Sequence, residues 1–172
     1  LITSDRFESI VLHEMLHVVG IGALWRLKGM VDSAGTADPR FLGAIATDRC
    51  RLVGFAAHCN GSVPLENTGG TGTADVHWRE SVFDRELMTG FAEANNDMPF
   101  SVITLGALAD YGYVVHEKAA DPFQATAARS APRIAATREG PWEEVLEPQF
   151  EVSRFGFVQP VRPRLRLTTP RK

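Results

Sequence analysis

The chain has 172 residues, of which 44% are hydrophobic and 23% charged, with a formal net charge of -3 at pH 7. That length holds one domain with a real core and is short for two. The apolar content excludes a disordered chain, the charge offers no overall field for nucleic acid, and no stretch is long and apolar enough to cross a bilayer.

Arg6 to Val19 reads as one helix, with Ser4 and Asp5 as candidate caps. Ile10, Val11, Met15, Val18 and Val19 give it apolar material to bury. This helix carries His13-Glu14-Met15-Leu16-His17. Histidines four apart share one face, a turn above each other, so His13 and His17 can converge on one ion. Zinc is the cation that suits such a pair. Glu14 is displaced around the helix and could reach a metal-activated water without being a ligand, which is a hydrolytic site in outline. The competing reading is an ordinary buried helix, since this spacing recurs by chance. The chain opens at Leu1, directly ahead of the helix, with no secretory signal in view. The expectation is that the start of the natural product, with any signal it carried, is missing.

Gly20 and Gly22 bracket Ile21 and favour a left-handed exit from the helix. In many zinc proteases a third histidine follows three residues after such a glycine. That position here is Ala23, so a third ligand must come from elsewhere. Ala23 to Gly29, with Leu24, Trp25 and Leu27, reads as core packing, and Val31 to Pro39 as a polar loop. Phe41 to Thr47 reads as a short strand, and Leu52 to Ala57 as a short strand or helix. Cys50 and Cys59 either close a small disulfide loop, as in an exported protein, or stay free thiols; their spacing is not that of a zinc or redox motif. Gly61 to Gly72 is turn chemistry and lacks the Gly-Lys-Ser/Thr ending of a phosphate loop. An excursion of this length calls for a function or a docking surface.

The excursion ends at His77-Trp78-Arg79-Glu80. Loop geometry can deliver His77 to the histidine pair, which makes it the candidate third ligand. Met88, in Glu86-Leu87-Met88-Thr89-Gly90, could form an apolar floor under a metal, or simply belong to the core. Asn95, Asn96, Asp97 and Pro99 mark a loop. Ser101 or Thr104 then starts a helix of about Val102 to Ala109, with Ile103, Leu105 and Leu108 facing inward and Gly112 as its stop. Tyr113-Val114-Val115 reads as a short strand or extended exit. His58 and His116 read as surface histidines. Beyond about Asp121 the chain is rich in Ala, Arg and Ser, then interrupted by prolines. Phe150, Val152, Phe155 and Phe157 could form one strand. The basic end from Arg162 to Lys172 reads as a solvated tail.

Taken together, five blocks resemble the catalytic core of the leishmanolysin-like zinc metallopeptidases, within the metzincins. They are His13 to Gly20, Ser62-Val63-Pro64-Leu65-Glu66-Asn67 with Gly69-Gly70, His77 to Glu80, Glu86 to Gly90, and Ile103 to Leu108 with Asp110-Tyr111-Gly112-Tyr113. Their order spans about residues 4 to 118. That family inserts a long segment between its second and third zinc histidines, which agrees with Ala23 and His77. The resemblance implies His13, His17 and His77 as zinc ligands, Glu14 as general base, and Met88 as the residue of the methionine turn.

The fold the resemblance implies is α+β: a metzincin-like core with an active-site helix, a long insertion before the third ligand, and a methionine turn. Residues 1–120 would be a partial metallopeptidase core, because metzincins carry an upper subdomain ahead of this helix and nothing here precedes Leu1. Residues 121–172 would be a C-terminal extension with a basic tail. The implied activity is zinc-dependent endopeptidase cleavage of protein or peptide substrates, without nucleic acid or a transmembrane segment. A secreted or cell-surface location, with membrane association and cell adhesion, is implied by the relatives alone. Two other readings stand beside it: a zinc-binding but inactive remnant with a structural or protein-interaction role, and a metal-free α+β domain.

Overall fold

The computed structural model describes residues 4–91 and 98–125, together with the backbone of 150–152 and 158–160. The first helix, α1, runs Ser4–Val18. Ser4 and Asp5 are therefore inside it rather than ahead of it, an offset ordinary at a helix end. Two short strands follow, β1 (Val31–Asp32) and β2 (Arg40–Phe41), then α2 (Ala44–Cys50), β3 (Val63–Pro64), α3 (Glu80–Phe83) and α4 (Val102–Asp110). Strands β1, β2 and β3 make one antiparallel sheet, with Val31 opposite Phe41 and Phe41 opposite Val63. A separate antiparallel pair joins β4 (Phe150–Val152) to β5 (Val158–Pro160). Helices and short sheets in this proportion make an α+β fold.

Several expectations need correction. The strand expected over Phe41 to Thr47 stops at Phe41, because Ala44 begins α2. Asp110, at the end of α4, caps that helix from a distance: its carboxylate accepts from Ile45 N–H and Ala46 N–H, both at 2.9 Å. Of the strand and the helix left open for the stretch from Leu52, the helix is found: Arg51–Phe55 continues α2 as a π-helical turn, broken at Gly54 by a φ of 98°. Of the two readings open for Tyr113 to Val115, the strand is not formed, and the stretch leaves α4 outside regular structure. Phe150 and Val152 lie on β4, whereas Phe155 and Phe157 lie outside the described residues, as do Asn95, Asn96, Asp97 and the basic tail.

Burial on α1 also departs from expectation. Ile10 is half-buried, but Val11, Met15, Val18 and Val19 are exposed, and Leu16 is the apolar residue that reaches the core. The helical repeat explains it. With His13 and His17 turned inward, Leu16 and Ile10 fall within about 60° of His13, while Val11, Met15 and Val18 fall on the opposite arc. Among the residues after α1, Trp25 is fully buried as expected, and Leu27 is exposed instead.

The core is aromatic. Trp25 packs on Trp78 with ring centroids 4.7 Å apart and on Phe41 at 4.9 Å, and Phe83 links Trp78 to Phe55. Pairs at such distances add to simple burial. Cys50 and Cys59 are joined in a disulfide that ties the end of α2 to the approach of β3. On the other side, α2 packs against α4 at a close crossing. A Cβ added at Gly106 would stand 2.7 Å from Ala46 Cα, which is backbone and cannot rotate aside. Overpacking there costs about 1–3 kcal/mol, against a helix-propensity gain of up to about 1 kcal/mol. Gly106→Ala is therefore expected to lower the thermal midpoint. An unchanged midpoint in a calorimetric scan would mean that the two helices part freely.

Candidate metal centre

Helix α1 ends where its chemistry needs it to. Gly20 has a φ of 117°. Its N–H bonds His17 O at 3.0 Å, and Ile21 N–H bonds Leu16 O at 3.0 Å. This is the paired-bond ending that a glycine permits. The turn brings Ile21 O back to His17 Nδ1, at 2.8 Å. Two tyrosines from the exit of α4 take the carbonyls left at this helix end. Tyr111 Oη donates to Gly20 O at 3.2 Å and Tyr113 Oη to Val19 O at 3.1 Å. Gly22 completes the turn in contact with the other half of the site, since a Cβ there would stand 2.1 Å from Val76 O.

His77 arrives on an extended segment paired on both sides. Glu66 N–H bonds His77 O at 2.9 Å, and Trp78 N–H bonds Met88 O at 2.9 Å. The loop before it is wound tightly. Asp75 adopts a φ of 68°, and its buried carboxylate accepts the Gly35 N–H at 2.9 and 3.1 Å. That winding brings Thr73 O to His77 Nδ1 at 3.0 Å. On the far side Arg79 grips the loop between β1 and β2, donating to Asp38 at 2.6 Å, and holds the residue after β3, donating to Leu65 O at 2.8 Å. Arg79, and then Arg40, hold the Asp38 carboxyl below its usual range. A cleft of about 230 Å³ opens beside this segment, lined by Arg26, Gly70, Gly72, Asp75 and Val76 among others.

The three histidines converge. Nε2 of His13 is 2.9 Å from Nε2 of His17 and 3.3 Å from that of His77, and the remaining pair is 3.2 Å apart. All three side chains are buried, and His13 and His77 are sealed completely. Each Nδ1 faces a backbone carbonyl, the third being Leu87 O, 2.6 Å from His13 Nδ1. A carbonyl only accepts, so each Nδ1 carries the proton and each Nε2 turns a lone pair to the centre. Three nitrogens around a tetrahedral ion, each at about 2.0–2.1 Å, stand roughly 3.3 Å apart. The donor set and its spacing therefore fit zinc, with the ring orientations fixed by carbonyls in the way usual for metal-bound histidines. Among the described residues these three form the group able to hold a metal.

Of the other expected residues, Glu14 is exposed on α1, about 100° around the helix from His13. Met88 is fully buried within the main core cluster. His58 and His116 are exposed and outside the cluster. Sequence reasoning assigned nothing to the carbonyls of Ile21, Thr73 and Leu87, nor to the two tyrosine hydroxyls. Backbone acceptors carry no residue signature. The tyrosines were visible only as part of a block.

Burial pushes the Tyr111 hydroxyl well above its ordinary value of 10.0, with the Asp110 charge and Tyr113 adding to the shift. The folded chain thus holds this proton harder than the unfolded chain does. Its contribution to stability is complete below pH 10 and declines as pH rises beyond it. Tyr111→Phe is expected to cost about 1 kcal/mol at neutral pH, the worth of one hydrogen bond. It should also flatten the alkaline loss of stability above pH 10. Parallel wild-type and variant unfolding curves across that range would dismiss the clamp.

The searches for curated proteins and for solved structures returned no match. A family model described as leishmanolysin matches residues 3–124. That span contains α1, the glycine-rich excursion, all three histidines and α4. By this match the chain belongs to the leishmanolysin family of metallopeptidases.

Proposed function

We propose that the chain is the zinc-dependent endopeptidase core of its family, acting on protein or peptide substrates, with His13, His17 and His77 as metal ligands and Glu14 as the general base. The observation that carries this is the convergence of three Nε2 atoms whose Nδ1 protons are all committed to carbonyls. A set of three inward lone pairs is held together best by a cation. Zinc bound there would supply Lewis acidity to a water and to the scissile carbonyl. Glu14 would be the base that accepts a proton from such a water and returns it to the amine nitrogen as the C–N bond breaks. In this reading Met88, a fully buried thioether with no charge to compete for the metal, is the residue of the methionine turn.

Residues 1–120 constitute this catalytic core in the proposal, and residues 121–172 an extension to it. Export or display at the cell surface is proposed from the family, and the Cys50–Cys59 disulfide supports an oxidising compartment. Among the described residues no helix is long and apolar enough to cross a membrane.

Two variants separate metal binding from chemistry. His77→Ala is expected to lose stoichiometric zinc, read by metal analysis on protein purified without chelator. Glu14→Gln should keep the zinc and abolish cleavage of an unfolded protein substrate, a loss of at least about 10²-fold for removing a general base. Wild-type turnover by Glu14→Gln would assign the base elsewhere. A wild-type chain that binds zinc and cleaves nothing would leave a metal-binding protein without hydrolysis.

A further inference from the structure

The turn at residues 86–89 is organised by a carboxylate that the peptidase mechanism does not use. Glu86 is fully buried. Its Oε1 accepts from Ser101 Oγ and Thr104 Oγ1, both at 2.6 Å, and from Ser101 N–H at 3.3 Å. Its Oε2 accepts from Met88 N–H at 2.5 Å. Both hydroxyls already accept elsewhere. Ser101 Oγ caps α4 by taking Ile103 N–H and Thr104 N–H, and Thr104 Oγ1 takes Trp78 Nε1–H at 2.8 Å. Their own protons are therefore directed to Glu86, and the carboxylate receives donors on every side.

This hub touches both halves of the histidine cluster through the backbone. Leu87, the next residue, supplies the carbonyl that orients His13. Met88, whose N–H Glu86 holds, gives its carbonyl to Trp78 N–H, directly after His77. The Trp78 indole closes the circuit through Thr104. Resting on the three-histidine metal site proposed above, we propose that Glu86 is a positioning residue for that site: it fixes the 86–89 turn so that Leu87 O orients His13 while Met88 O anchors the segment carrying His77. Glu86 touches no substrate atom in this role.

Gln is the informative replacement, because it keeps the volume and changes only the pattern of donors. One arm of its amide becomes an NH₂ group, which must face either the Met88 N–H or the two hydroxyls. Every one of those is already a donor, so one side of the hub is repelled. The experiment measures zinc affinity of the full chain by competition with a chromophoric chelator. It adds the visible spectrum of the cobalt(II) form, which reports ligand geometry directly, and circular dichroism to establish folding.

Folded Glu86→Gln is expected to bind zinc at least about 10-fold more weakly, the range for outer residues that orient metal-bound histidines, with a shifted cobalt spectrum. A change of fold stability alone would leave that spectrum unmoved. Wild-type affinity with a wild-type spectrum overturns the positioning role. If Glu86→Gln does not fold, Ser101→Ala decides, since it removes one donor from the carboxylate at the head of α4. A several-fold weaker affinity is expected there, and wild-type affinity overturns the proposal. A wild-type chain that binds neither metal fails at an earlier step, and overturns the three-histidine site together with what rests on it.

Discussion

Three imidazole nitrogens stand 2.9–3.3 Å apart on buried side chains. The geometry must be imposed from outside the cluster. It is imposed by three carbonyls, those of Leu87, Ile21 and Thr73, which fix each ring's proton on Nδ1. All three carbonyls lie in turns rather than within regular elements. The turns are thus as much a part of the site as the histidines, and the unusual backbone positions cluster around them. Gly20, Gly22 and Asp75, all with positive φ, are each within five residues of His17 or His77.

Two of these bonds are local. Ile21 lies four residues from His17, and Thr73 four from His77. The third, from His13 to Leu87, spans 74 residues. It joins α1 to the rest of the chain, as do the tyrosine bonds to Gly20 and Val19, which span 91 and 94 residues. Helix α1 is therefore tethered at its C-terminal half, with Leu16 and Ile21 as its apolar anchors in the core. A cation shared by His13, His17 and His77 would add a further tether between elements sixty residues apart. Metal binding and folding are then coupled, as they are wherever a site is assembled from distant segments.

The sequence disclosed the chemistry better than the packing. A histidine pair four apart must share a helix face, whatever surrounds it, so His13 and His17 were legible from spacing. His77 was legible only as a histidine at the end of a glycine-rich approach, and the structure brings it to the pair. The helix over Val102 to Asp110 was legible because Ser101 is a strong cap and Gly112 a strong stop. By contrast, α2 was hidden. Its cap is Asp110, more than sixty residues away, and a carboxylate that distant leaves no local signature. Glu86 was hidden for a related reason. A glutamate in a polar-looking turn reads as surface, and only the arrival of Ser101 and Thr104 from α4 makes its burial tolerable.

The orientation of α1 carries the same lesson further. Its apolar periodicity alone would have turned Val11, Met15 and Val18 toward the core. The structure turns them out, with Val18 86% and Met15 59% exposed. Leaving such side chains in water forgoes roughly 25 cal/mol for each Å² not buried. Burying imidazoles instead is tolerable only because each finds a carbonyl partner inside. A helix ruled by core burial would have taken the opposite rotation. This one keeps the rotation that gathers three histidines, so its placement is set by the site, and departures of that kind from the local pattern concentrate where a protein has chemistry to do.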